Sequence, residues 1–181
     1  VLSFISSIIG AFFYWKTANK SDDPYWKKAG DLTFMVHAGA VLAIVVTLFA
    51  IIYNHYFEYF YAWQHSSTAL PAHYMISCFW EGQEGSFLLW MFWQVVLGAV
   101  LLFNKSQWKA PVMSIVLLAQ AVLSSMLLGI EFGDAYTFGS SPFSLLREVR
   151  PELLTLPVME MQNIATADYL QIIKDGTGLN P

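Results

Sequence analysis

The sequence predicts an all-α membrane protein, a polytopic bundle of about four transmembrane helices. Of its 181 residues 56% are hydrophobic and only 12% are charged, whereas about a quarter of an ordinary soluble domain is charged. Aromatic residues make up 17% of the chain, and such rings collect where headgroups meet hydrocarbon. Several apolar runs also approach the roughly 20 residues that a helix needs to cross a bilayer.

Four apolar runs are predicted to span the membrane. The first, at about 1–15, is short by one turn and ends in aromatic residues, so we interpret it as a clipped span. The second, at 32–53, is apolar apart from His37. The third and fourth lie at 86–103 and 111–130, and the last begins with proline, which the first turn of a helix tolerates.

Lysine placement predicts the orientation of these spans. The loops after the first and third spans hold four and two lysines, and lysine concentrates in short cytoplasmic loops. The amino terminus, an aromatic loop at 54–85 and the segment 131–181 are therefore expected outside. The aromatic run at 53–63 forms either an interfacial collar or ordinary helix contacts, since its rings occupy every face.

The outer segment 131–181 is predicted to hold short elements rather than one domain. A turn at 140–142 precedes a short amphipathic stretch at 143–150, and Pro151 and Pro157 interrupt the chain. A small helix is expected at 167–174, before a glycine-rich turn. We expect the chain to be truncated at both ends.

The most distinctive stretch, residues 80–86, opens the third span. Its two glutamates are costly to hold near hydrocarbon without partners, and its two glycines admit another backbone or a flat ligand. In one interpretation Glu84 and Ser86 cap the helix; in the other these side chains face a ligand. The candidate site residues are Trp80, Gly82, Gln83, Glu84, Gly85, Ser86 and Trp90.

This stretch resembles the Trp-Gly-x-His-Glu-Gly-Ser-Leu-Leu-Leu-Trp motif of the CcmF/NrfE-type haem lyases of cytochrome c biogenesis. Residues 70–74 are similar to the family's Leu-Pro-x-Trp-Tyr element, residues 141–143 to its Asn-Pro-Phe, and residues 178–181 to its Asp-Leu-Asn-Pro. The resemblance thus covers nearly the whole chain and corresponds to the amino-terminal portion of the family.

Two departures from the family motif bear on its role. Gln83 stands where the family has histidine, and an amide is a poor iron ligand. Glu81 stands where the family has glycine. The first departure favours an architectural role for the stretch.

The resemblance implies a multi-pass protein of the bacterial inner membrane, with its amino terminus in the periplasm. It implies a haem lyase subunit that presents haem b for covalent attachment to apocytochrome c, with the principal haem ligands beyond this fragment. Its partners would be membrane lipid, a haem chaperone, apocytochrome c and thiol-handling assembly subunits. The alternative is a non-catalytic scaffold or accessory subunit of a respiratory or assembly complex. No basic patch suggests nucleic acid.

Three outer histidines, His55, His65 and His73, are secondary candidates for haem ligands, because imidazole is a common axial ligand. Their spacing defines no site, so an interfacial or solvated role is the ordinary interpretation, and no other metal site is predicted. His37 is either a hydrogen-bonded core residue or a functional group within the span. Cys78, the single cysteine, excludes an internal disulfide and is interpreted as a small buried hydrophobe.

Overall fold

The computed structural model describes residues 1–20, 24–104, 106–132, 136–150 and 175–179. It confirms the all-α class, to which it adds one short antiparallel hairpin. The helices are α1 (Leu2–Lys20), α2 (Pro24–Tyr53), α3 (Phe60–His65), α4 (Ala72–Glu81), α5 (Gln83–Phe103), α6 (Lys109–Met126) and α7 (Leu146–Val149), and the hairpin strands are β1 (Ile130–Phe132) and β2 (Tyr136–Phe138).

Within the described residues, three helices are long and apolar enough to cross a membrane: α2, α5 and α6. At 1.5 Å per residue they measure about 45, 32 and 27 Å, against a hydrocarbon core of about 30 Å. The chain is therefore a membrane protein. Helix α1 forms over the first predicted span, and its own crossing stays a prediction.

Several helix boundaries differ from the predicted spans, among them the start of α2 and the end of α6. Helix α2 begins at Pro24 rather than at residue 32, because charged residues such as Lys28 and Asp31 are compatible with the helix where it leaves the hydrocarbon. Helix α6 ends at Met126 rather than at residue 130. Gly129 follows with a positive φ of 57°, and the chain then enters the hairpin.

The loop predicted at 54–85 contains helices α3 and α4. Helix α2 ends at Tyr53, the residue at which the second span was predicted to end. Helix α7 lies within the amphipathic stretch predicted at 143–150. The small helix predicted at 167–174 falls outside the described residues.

The chain forms two compact units, and their boundaries fall within α2 and α5. We call residues 1–46 with 87–140 the first unit, and residues 47–86 with 141–181 the second unit. In the first unit α1 packs along α6, and Phe34 of α2 joins the same apolar core. A Cβ atom at Gly98 would lie 2.6 Å from the Phe34 ring, so this glycine allows the close helix approach typical of membrane interiors.

Polar contacts between helices supplement this apolar core. Nδ1 of the fully buried His37 lies 2.9 Å from the carbonyl oxygen of Ser3, and the Gln120 amide donates to the carbonyl of Met91 over 2.8 Å. Such bonds join α1 to α2 and α5 to α6. Apolar side chains on the outer faces of the spans contact lipid, among them Val46, Leu97, Val100, Ile115 and Leu118.

Candidate functional site: the α4–α5 corner

The motif singled out in the sequence forms a sharp turn between two helices, which we call the α4–α5 corner (residues 79–86). Helix α4 ends at Glu81 and α5 begins at Gln83. Only Gly82 separates them, with an extended backbone at φ −81° and ψ 163°. One residue therefore redirects the chain, and the helix ends on either side need other hydrogen-bond partners.

The buried side chain of Tyr61 supplies two of these partners. Its hydroxyl donates to the carbonyl of Phe79 over 2.8 Å and accepts from the N–H of Gly82 over 3.2 Å. Burial raises the pKa of Tyr61 well above its usual range, and the nearby Glu84 and Glu81 carboxylates act in the same direction, against the backbone hydrogen bonds of Gly82 and Gly85. The phenol therefore stays protonated and can both donate and accept.

Both glycines of the corner lie against this tyrosine. A Cβ atom at Gly82 would lie 2.6 Å from the Tyr61 ring, and one at Gly85 would overlap the carbonyl oxygen of Phe79. Neither position has room for a larger residue unless the backbone moves. The expectation that the glycines admit a close neighbour is thus met by the protein's own backbone and by Tyr61.

Ser86 completes the corner. Its hydroxyl donates to the carbonyl of Trp80 over 2.7 Å, and its N–H donates to the carbonyl of Gly82 over 3.0 Å. The hydroxyl therefore closes the carboxyl end of α4 rather than the amino end of α5. Glu84 lies in the first turn of α5, where a negative charge complements the helix dipole.

The corner presents only part of its motif to the surroundings. Gly82 and Gly85 are buried, Glu84 and Ser86 are partly buried, and Trp80 and Gln83 are exposed. Trp90 lies further along α5, in the first unit, and is also exposed. Trp80 and Gln83 are therefore the motif side chains best placed to contact a ligand or a partner at the corner.

The structure brings one of the three candidate histidines to the corner. His65 Nδ1 lies 3.5 Å from Oε2 of Glu81, and its Nε2 faces Gly82, 2.7 Å from where a Cβ atom would be. Burial lowers the pKa of His65, although Glu81 and Glu84 oppose the shift. The His65 ring is thus packed within the corner, against the Glu81 carboxylate and the Gly82 backbone.

The other two histidines lie apart from the corner motif. His55 follows α2 with a positive φ of 55°, and its ring lies 5.6 Å from that of Phe57. His73 is exposed in the first turn of α4, with its ring 4.2 Å from that of Tyr74. Across the described residues no group of three His, Cys, Asp or Glu side chains is arranged to hold a metal ion.

Cys78 behaves as the small buried residue that the sequence predicts. It is fully buried in α4, and its Sγ donates to the carbonyl of Tyr74 over 3.3 Å. Burial raises the pKa of the Cys78 thiol, and the Glu81 carboxylate adds to the effect. A protonated, enclosed thiol is a poor nucleophile.

A second set of contacts, which sequence reasoning missed, involves the turn at 175–178. We call it the Asp175 clasp. The Asp175 carboxylate accepts from the Ser67 hydroxyl over 2.9 Å, and from the N–H and hydroxyl of Thr68 over 2.7 and 3.0 Å. The N–H groups of Thr177 and Gly178 then donate to the carbonyls of Trp63 and Ser66. The sequence predicted only a glycine-rich turn here, because partners 107 and 108 positions away leave no local signal.

The clasp also perturbs its own carboxylate. The little burial that Asp175 has would raise its pKa, but the hydrogen bonds from Thr68, Ser67 and Gly176 outweigh it and hold the pKa below the usual value.

Near α3, the N–H of Leu146 donates to the carbonyl of Glu58, and the N–H of Phe60 donates to the carbonyl of Ser144. Two tail segments thus bond to the residues around α3.

No family model, curated protein or solved structure matches the chain. The residues themselves therefore carry the functional argument.

Proposed function

We propose that this chain is a membrane component of c-type cytochrome maturation, which presents haem b for covalent attachment to apocytochrome c on the outer face of the bacterial inner membrane. The observation that carries the proposal is the corner. The run that resembles the haem lyase motif forms a turn held by hydrogen bonds to Tyr61, and neither of its glycines has room for a Cβ atom.

In this proposal the chain positions haem and does not ligate it. The thioether bonds form between haem vinyl groups and cytochrome thiols, and the protein contributes orientation. Trp80 offers an exposed indole and Gln83, three residues later, an exposed amide, both suitable for contact with a porphyrin edge or with a partner. The haem chaperone, apocytochrome c and thiol-handling subunits would dock on the outer side.

The alternative proposal is a non-catalytic scaffold or accessory subunit of a respiratory or assembly complex. The environment of His65 supports it, because this candidate ring is packed against Glu81 and Gly82 within the corner. Under this alternative, Trp80 would contact a partner subunit.

The decisive experiment is deletion of the gene in its native host, followed by staining of membranes for covalently bound haem. The haem lyase proposal predicts loss of c-type cytochromes while the apoproteins persist, and restoration by the intact gene. Normal staining in the deletion strain overturns it.

Point variants sharpen the experiment. Each variant is expressed in the deletion strain. W80A should restore less haem attachment than the unmodified gene at an equal level of the protein in the membrane. I76A, at another exposed position of α4, should restore haem attachment fully. If the two variants restore haem attachment equally, the exposed side chain of Trp80 at the corner does not contribute to haem attachment. In the intact protein purified in detergent, a haem spectrum would contradict the scaffold alternative.

Orientation is tested separately. In Q83C, a membrane-impermeant maleimide added to intact cells or spheroplasts should label the introduced thiol, because residue 83 is exposed and is proposed to lie outside. The unmodified chain is the control, since its only cysteine, Cys78, is buried and should stay unlabelled. Labelling of Q83C only after the membrane is opened would overturn the proposed orientation.

A further inference from the structure

One end of the first unit contains an open cleft of about 760 Å³. It is lined by the end of α1, the start of α2, the loop after α5 and the first turn of α6, and its lining includes Tyr14, Lys27, Asn104, Ser106 and Gln107. Ligand sites in proteins usually have volumes of about 300–1,000 Å³. None of the contacts described above for the α4–α5 corner involves this cleft.

Two cations line the cleft, and their surroundings differ. Lys109 is nearly buried, and its ammonium lies 2.9 Å from the Asp31 carboxylate and 3.0 Å from the carbonyl of Leu102. Tyr14 donates to the same carboxylate over 2.6 Å. This network is closed and electrically balanced. Lys27 is exposed, and no carboxylate of the described residues forms an ion pair with it.

The polar groups of the cleft are arranged as donors. Oδ1 of Asn104 accepts from the N–H of Ser106, and Oγ of Ser106 accepts from the N–H of Trp108. Each oxygen thus has a partner within the loop, and the Asn104 amide N–H₂ and the Ser106 hydroxyl proton can donate to a ligand. A cleft with one exposed ammonium and these two neutral donors favours a ligand with anionic oxygens.

The location of the cleft decides which anion fits. It lies at one end of the membrane-crossing helices α2 and α6, where Trp26 falls in the first turn of α2 and Trp108 directly precedes α6. Tryptophans at such positions mark the headgroup level of a bilayer. Residues 16–31 and 104–109 together hold six lysines against three aspartates, so this end attracts anionic lipid even when every acid is counted.

We propose that the cleft binds the phosphodiester headgroup of an anionic phospholipid, with Lys27 as its cationic contact and Asn104 and Ser106 as neutral donors. The acyl chains would lie along the apolar outer faces of the spans. This inference does not depend on the role in cytochrome maturation.

The test measures lipid binding to the purified chain in detergent by native mass spectrometry. Phosphatidylglycerol is the probe, phosphatidylcholine is the zwitterionic comparison, and free glycerol 3-phosphate is the soluble competitor. We expect the unmodified chain to retain one phosphatidylglycerol in preference to phosphatidylcholine. K27Q should weaken this retention about fivefold, the effect expected for one lysine at a charged surface.

K28Q is the matched control, because it removes the same charge from the next residue, which does not line the cleft. Adjacent residues of a helix point about 100° apart, so K28Q should leave retention unchanged. Equal losses in K27Q and K28Q overturn the site in favour of diffuse attraction. Equal retention of phosphatidylcholine overturns the anionic preference, and displacement by equimolar glycerol 3-phosphate overturns the lipid as ligand.

Discussion

The interactions that stabilise the first unit internally differ from those that stabilise the second. In the first unit, long helices meet through apolar side chains and close approach at small residues, with a few buried polar bonds between them. In the second unit, short helices are joined largely by hydrogen bonds to main-chain groups, from Tyr61 and around the Asp175 clasp. Spans in lipid satisfy their backbone internally, whereas turns and short helices leave groups that side chains must satisfy.

The largest effect is expected where the second unit has no space. In G85A the added Cβ would overlap the carbonyl oxygen of Phe79, so the backbone of the corner must move. We expect a loss of about 3 kcal/mol in unfolding free energy, the upper range for overpacking. Unfolding free energies are measured by denaturant titration in detergent, with circular dichroism as the readout.

G39A is the matched control for G85A, because nothing lies within 4 Å of a Cβ atom at Gly39. It should be neutral or stabilising by up to about 1 kcal/mol, since alanine is the better helix former. Equal stabilities for G85A and G39A would contradict the close contact at the corner.

The ion pair between Asp31 and Lys109 is expected to stabilise the first unit. D31N removes the counter-charge of the Lys109 ammonium, and the Lys109 side chain is only 9% exposed. The Asp31 side chain is 28% exposed and therefore partly solvated, which reduces the expected effect. We expect a loss of about 2 kcal/mol, below the value for a fully buried pair. The same titration is repeated for K109M and for the double variant D31N/K109M. The double variant should be more stable than D31N; strictly additive losses would show that the two side chains do not interact.

A smaller effect is expected when the second unit loses only one hydroxyl. Y61F keeps the ring but leaves the carbonyl of Phe79 and the N–H of Gly82 without that partner. The expected loss is about 1–2 kcal/mol. Y74F, at a tyrosine that is 47% exposed, should change stability little. If Y61F matches Y74F, the hydroxyl does not hold the corner.

Tyr61 also predicts a pH dependence. Its pKa is raised in the folded protein, chiefly by burial, so its contribution to stability is fully present below the pKa of an unfolded tyrosine, about 10. This contribution is lost as the pH rises above that value. Stability measured between pH 9 and 11 should therefore fall more steeply for the unmodified chain than for Y61F.

The smallest effect is expected at the exposed clasp. D175N keeps one acceptor oxygen but loses the charge that binds Ser67 and Thr68. Because hydrogen bonds hold the pKa of Asp175 below its unfolded value, the clasp is favoured above about pH 4 and lost as the pH falls through the folded pKa. The protection of the Thr68 amide against hydrogen exchange, relative to its intrinsic rate at each pH, should fall at low pH in the unmodified chain and be lower at neutral pH in D175N. An unchanged Thr68 rate in D175N contradicts the clasp.

The spans were readable from the sequence because composition and length alone identify them. Helices α2 and α5 lie over the second and third predicted spans, and α2 ends where its apolar run was predicted to end. The start of α2 was less predictable, since Lys27, Lys28 and Asp31 have the composition of a loop. Asp31 belongs to the helix and forms its ion pair with a residue 78 positions away in the chain.

The candidate site was only half readable. The sequence singled out residues 80–86 and offered capping or ligand contact as alternatives; the structure gives Ser86 a capping role at the end of α4 and buries both glycines. The role of Tyr61 was not predicted, because the run at 53–63 has aromatic residues on every face and its periodicity does not distinguish one ring from another. Its two partners lie 18 and 21 positions away.

By itself the sequence determined that this is a helical membrane protein and where its main spans lie, because burial in hydrocarbon requires long apolar runs and helices satisfy their backbone locally. Only the tertiary structure decided which side chain closes the α4–α5 corner, which lysine is neutralised and which is exposed in the cleft, and what the Asp175 turn binds. The reason is physical: these are hydrogen bonds and ion pairs between residues distant in the chain, and their geometry exists only after the helices have met.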